Sequence, residues 1–130
     1  MRKEDEKGIS ETILASLSDM IVNEEDTFAL SFPGLEIDSK RQIVQKNGET
    51  IQLNRQEFQA LFYLAKYPGW VFTKEQIYEK VYGEKMMENI DDSIYHIICN
   101  LRKKIEKDIR NPQYVITVRG VGYKFAIPEE

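Results

Sequence analysis

A chain of 130 residues, 42% of them hydrophobic and with a net charge of −4, can bury one modest core and is too short for two. No apolar run approaches the roughly 18 residues of a membrane span, and no leader-like segment opens the sequence, so a cytoplasmic protein without membrane contact is expected. A single cysteine, Cys99, excludes an internal disulfide framework, and with His96 as the one histidine no metal-ligand spacing exists, so neither metal nor cofactor is expected.

Residues 1–27 carry three basic and eight acidic side chains. After a charged start expected to be disordered over residues 1–8, Ile9, Ile13, Leu14, Leu17 and Ile21 fall at helical spacing, with Ser10 placed to cap them. This stretch reads as an acidic, partly helical N-terminal extension. From Phe28 the pattern changes to short strands at Ala29–Phe32, Leu35–Ile37, Ile43–Gln45 and Thr50–Leu53, with turns at Pro33-Gly34, Ser39-Lys40 and Asn47-Gly48, which predicts a small antiparallel sheet. Asn54 with Glu57, and Thr73 with Gln76, have the spacing of reciprocal helix caps. They predict helices over about Arg55–Tyr67, stopped by Pro68-Gly69, and about Lys74–Tyr82, ended by Gly83.

A third helix is predicted from about Asp92, where an acid at the N-terminus acts as a cap and favours the helix dipole. Its stripe of Ile94, Ile97 or Ile98, Leu101 and Ile105 faces the core, leaving Tyr95, His96, Cys99, Asn100, Arg102 and Lys103 on the opposite face. Two β-branched and aromatic runs follow, Tyr114–Val118 and Tyr123–Ile127, joined by Arg119-Gly120-Val121-Gly122. They predict a hairpin whose two glycines supply positive φ and whose tip holds Arg119 out. Residues 91–125 carry seven basic against four acidic side chains, so the basic charge gathers on this helix and hairpin. Trp70 and the other aromatics are assigned mainly to the core, because their spacing follows the elements rather than an exposed stacking platform.

Four motifs stand in fixed order: NRQEFQALFYL (54–64), PGWVFTKEQIYEKVYG (68–83), LRKKIE (101–106) and TVRGVGYKF (117–125). Together they resemble the OmpR/PhoB-type DNA-binding domain of bacterial response regulators, over about residues 28–127. The resemblance implies an α+β winged helix-turn-helix with an N-terminal antiparallel sheet, three helices and a C-terminal hairpin wing. It implies a sequence-specific double-stranded DNA-binding transcriptional regulator of a bacterial two-component system, with the third helix in the major groove and the wing at the minor groove. The DNA contacts expected are Tyr82, Ser93, Tyr95, His96, Cys99, Asn100, Arg102, Lys103, Thr117 and Arg119, with Asn100 suited to adenine, Arg102 to guanine or phosphate, Thr117 to phosphate, and Lys104 adding charge. The loop from Gly83 to Ile90 is the expected surface for RNA polymerase, and tandem binding or a homodimer on DNA is expected. The phosphorylatable receiver that such chains begin with would need more than the 27 residues before Phe28 and is expected to be absent.

The sequence departs from that pattern where many members carry Arg or Lys and this chain has Cys99 and Asn100, and where Tyr82 replaces a Trp. The muted helix and net −4 keep open an alternative: a winged-helix protein-interaction module with weak or no DNA binding that recruits a partner through its acidic extension. No phosphate loop, nucleophile elbow or metal motif is present, so no enzymatic role is expected.

Overall fold

The computed structural model describes residues 29–83 and 89–129. The helix predicted near Ile9–Ile21 and most of the loop 83–90 lie outside the described residues. Four strands, β1 (Ala29–Phe32), β2 (Leu35–Asp38), β3 (Ile43–Lys46) and β4 (Glu49–Ile51), form a sheet in that order. Asn47 and Gly48 both take positive φ, 52° and 87°, which matches the twist a two-residue hairpin loop needs between β3 and β4. Val44 then lies opposite Ile51 and Lys46 opposite Glu49. Alternation sets the buried face, with Leu35 and Ile37 buried and Glu36 between them exposed. The last strand is shorter than the sequence predicts, ending at Ile51 rather than Leu53, because Asn54 already belongs to the next cap. In the turn after β2, Asp38 Oδ1 accepts from the backbone N–H groups of Lys40 (3.0 Å) and Arg41 (3.2 Å).

Helix α1 (Arg55–Lys66) opens on the predicted reciprocal cap. Asn54 Oδ1 accepts from Glu57 N at 2.8 Å and Glu57 Oε1 accepts from Asn54 N at 3.1 Å. Thr73 and Gln76 make the same pair of bonds at 3.1 and 2.8 Å to open α2 (Lys74–Tyr82), and Gly83 closes it with a φ of 80°. Between them lies a two-residue strand, β5 (Val71–Phe72), that the sequence reading does not contain. It pairs with β7 (Gly122–Phe125), Val71 opposite Lys124 and Phe72 opposite Tyr123, so the wing hairpin of β6 (Val115–Val118) and β7 is part of a three-stranded sheet in the order β5-β7-β6.

The third helix, α3 (Ile90–Ile105), begins two residues earlier than predicted. Its N-cap position is Asn89, at a φ of 55° and without a side-chain cap bond, so Asp92 is not the cap. The acids serve otherwise: Asp91 pairs with Lys74 at 2.8 Å, and both Asp91 and Asp92 lie in the first turn, where the dipole favours them. Ile94, Ile97, Ile98, Leu101 and Ile105 are all buried, as the stripe predicts. Helices α1, α2 and α3 pack on one another and α1 packs on β7, so burial of these side chains, worth about 1.5–3 kcal/mol each, fixes α3 against the wing sheet's support.

Two further expectations are corrected. Trp70 is not core: it is 61% exposed, its ring 5.1 Å from that of Tyr67, itself at the surface. Four aromatics converge at this corner, and the space beneath is taken by Tyr63 and Phe72, whose centroids are 4.5 Å apart, so only Phe72 of the later pair is buried. In the wing turn Gly120 has the predicted positive φ, 78°, but Gly122 does not. Gly122 is needed for space instead, since a Cβ there would stand 1.9 Å from the carbonyl oxygen of Phe72.

Candidate nucleic-acid interface

Because the apolar stripe of α3 is buried, the residues three and four apart on its other side form a continuous outward arc. Asp92, Tyr95, His96, Asn100 and Lys103 are exposed there and Cys99 is half-buried among them. Ser93, also half-buried, sits at the arc's margin. The neighbouring Cys99, first as a hydrogen-bonding group and then through the charge its thiol would carry, raises the pKa of the Tyr95 phenol. The Tyr95 ring also meets His96 edge-on, with centroids 6.2 Å apart.

Arg102 leaves this arc sideways. Its Nε and Nη2 donate to the carbonyl oxygen of Val115 at 3.0 and 2.8 Å, and Nη2 also donates to Thr117 Oγ1 at 2.8 Å. The guanidinium carbon lies 5.8 Å from the centre of the Tyr123 ring, within cation–π range. One side chain of α3 thus grips both strands of the wing. The expected phosphate contact Thr117 is exposed but already accepts this bond, while Arg119 stands exposed at the tip, where Val121 N donates to Val118 O across the turn. Tyr82, at the end of α2, is half-buried with its ring 4.6 Å from that of Tyr78.

The basic charge is partly committed within the fold. Lys104 Nζ lies 2.7 Å from Oε1 of the buried Glu57, so Lys104 steadies α3 against α1 rather than adding free charge. Arg110 lies 3.7 Å from Asp108. Lys74 has its pKa raised by its hydrogen bond to Asp91, so on the alkaline side the pair persists past neutral pH and is lost as pH rises beyond the lysine's usual 10.5. Lys103 on the arc and Arg119 on the wing remain exposed.

Sequence reasoning did not single out Glu106. Its buried carboxylate, directly after α3, accepts from the backbone N–H groups of Gln113 (2.7 Å), Tyr114 (3.0 Å) and Val115 (2.8 Å). It anchors the chain's return into the wing. The only sequence signal is a glutamate ending a helix seven to nine residues before its partners, a spacing with no local rule behind it. Among the described residues no group of three or more His, Cys, Asp or Glu side chains could hold a metal ion, and no helix is long and apolar enough to cross a membrane.

Residues 48–125 match the family model described as transcriptional regulatory protein, C terminal. The chain is 40% identical over 107 residues to the DNA-binding response regulator MtrA of Mycobacterium tuberculosis, covering 82% of this chain and 46% of that protein. It thus spans about half the length of the curated relatives it matches. Among solved structures it is similar to the response regulator DrrB of Thermotoga maritima, an OmpR/PhoB homologue (TM-score 0.69, 33% identity, 75% of this chain and 44% of that one). It is similar also to the DNA-binding domain of Klebsiella pneumoniae RstA, solved in complex with the RstA box (TM-score 0.68, 30% identity, 75% and 96%).

Proposed function

The chain belongs to the transcriptional regulatory protein C-terminal family, with the winged-helix fold of OmpR/PhoB-type domains, and from that premise we propose that it regulates transcription by binding double-stranded DNA at specific sequences. The observation that carries this reading is the exposed arc of α3 held beside an exposed wing-tip arginine by the Arg102 bonds. A rigid angle between helix and wing lets one enter a major groove while the other meets the adjacent minor groove. In this reading residues 28–127 are the DNA-binding domain and 1–27 an acidic extension. Tyr95, His96, Cys99 and Asn100 face base edges, with Ser93, Tyr82, Lys103 and Thr117 near the backbone, and Arg119 enters the minor groove. RNA polymerase would meet the loop from Gly83 to Ile90, two copies would bind in tandem, and the protein would work in the cytoplasm. Nothing in this role requires catalysis.

The rival reading, an interaction module with feeble DNA binding, draws on the acid at Asp92 and the committed Lys104. Selection of bound sites from a pool of random duplexes at near-physiological salt separates the two. An enriched motif whose binding weakens about tenfold or more with Arg119→Ala supports the regulator with its wing in a groove. Salt-sensitive binding without enrichment supports the interaction module.

A further inference from the structure

Helix α3 carries one guanidinium, and it does not face outward with the arc. Arg102 is turned to Val115 O and Thr117 Oγ1, and Lys104 is paired with buried Glu57. The arc's middle therefore carries neither arginine nor lysine. It presents the 61% exposed ring of Tyr95, the exposed imidazole of His96 and the half-buried thiol of Cys99, flanked by the exposed amide of Asn100.

These groups fit one class of base pair better than the other. A guanine edge offers two acceptors, O6 and N7, and is matched best by arginine or lysine; the arginine of α3 is turned to the wing, and Lys103 stands at the arc's C-terminal end. An adenine edge offers the N7 acceptor beside the N6 donor, the complement of an asparagine amide, and thymine adds a 5-methyl group that favours apolar contact. We infer that the base pairs read by α3 are A·T pairs, with Asn100 on adenine N6 and N7 and the Tyr95–Cys99 surface against thymine methyl groups. Lys103, a compact charge at the arc's C-terminal end, serves phosphate. Asp92, an acceptor only, is placed in the first turn to favour the helix dipole. The inference rests on the DNA-binding reading above.

The test uses the full chain and the duplex enriched by selection. Each thymine is replaced in turn by deoxyuridine, which removes only the methyl, and each adenine by 7-deazaadenine, which removes only the N7 acceptor. At the pairs facing α3 a single deoxyuridine is expected to weaken binding about fourfold, the loss of one buried methyl, and a 7-deazaadenine about tenfold. Asn100→Ala, an exposed change that leaves the core intact, should remove the sensitivity to 7-deazaadenine and leave the deoxyuridine effect. G·C pairs at the protected major-groove positions overturn the inference and leave the DNA-binding reading standing. So do A·T sites whose analogues bind like the parent, since those would be read through groove shape. Absence of any duplex binding overturns both.

Discussion

Arg102 shows how a side chain on the predicted DNA face acquires another role once the chain is folded. By spacing it joins Asn100 and Lys103, yet three hydrogen bonds tie it to Val115 O and Thr117 Oγ1. If it acts by holding the wing, Arg102→Ala weakens binding to every duplex by the same factor, about tenfold. The loss is then not additive with Arg119→Ala in a double-mutant cycle. Additive losses, or a loss confined to one base position, would mean that Arg102 reads a base itself. Glu106 is the second residue of this kind. Its carboxylate receives three backbone N–H groups, and truncation leaves those donors without their partner inside the fold. Glu106→Ala is expected to destabilise the protein by about 2–4 kcal/mol in urea denaturation, and Glu106→Gln by less, since the amide still offers one acceptor oxygen. Both roles are illegible in the sequence, because they depend on where the chain returns after α3.

At the scale of elements, most local signals held where the partner groups lie within four residues, although Asp92 does not cap α3 and Gly122 takes no positive φ. The caps of α1 and α2, the Asn47-Gly48 turn and the buried stripe of α3 all follow from such spacings. Strand β5 did not, being two residues long with its hydrogen-bonding partner some fifty residues later in β7. The close approach of these two strands makes Gly122 the sensitive point. Gly122→Ala would place a methyl 1.9 Å from Phe72 O, so the strands must part. A destabilisation of about 3 kcal/mol is expected, with lost amide protection concentrated at Val71–Phe72 and Gly122–Lys124 in hydrogen exchange. Uniform loss of protection would show that β5 and β7 do not open as a unit.

Across the whole molecule, Tyr114 joins the return of the chain into the wing to the first sheet's turn, its hydroxyl donating to Pro33 O at 2.6 Å. Burial, and then the negative charge of Glu106, raise its pKa above the usual 10.0. A raised folded-state value means stability fully present below about pH 10 and lost as pH rises through that value; Tyr63, raised first by burial, adds in the same direction. Melting temperature should therefore fall above pH 10. Tyr114→Phe is expected to lower stability by about 1 kcal/mol at neutral pH while flattening that alkaline fall, and an unchanged alkaline slope would remove Tyr114 as its cause. By itself the sequence determined the family, the winged-helix class, the helices with the caps of α1 and α2, and the gathering of basic charge on α3 and the wing, since periodicity, capping and turn chemistry act over a few residues. Only the tertiary structure decided that Arg102 grips the wing, that Lys104 answers Glu57, that Glu106 holds the return loop and that Trp70 stays outside. Each of these depends on which distant groups are brought within bonding distance, and on how much space the first-packed side chains leave for the rest.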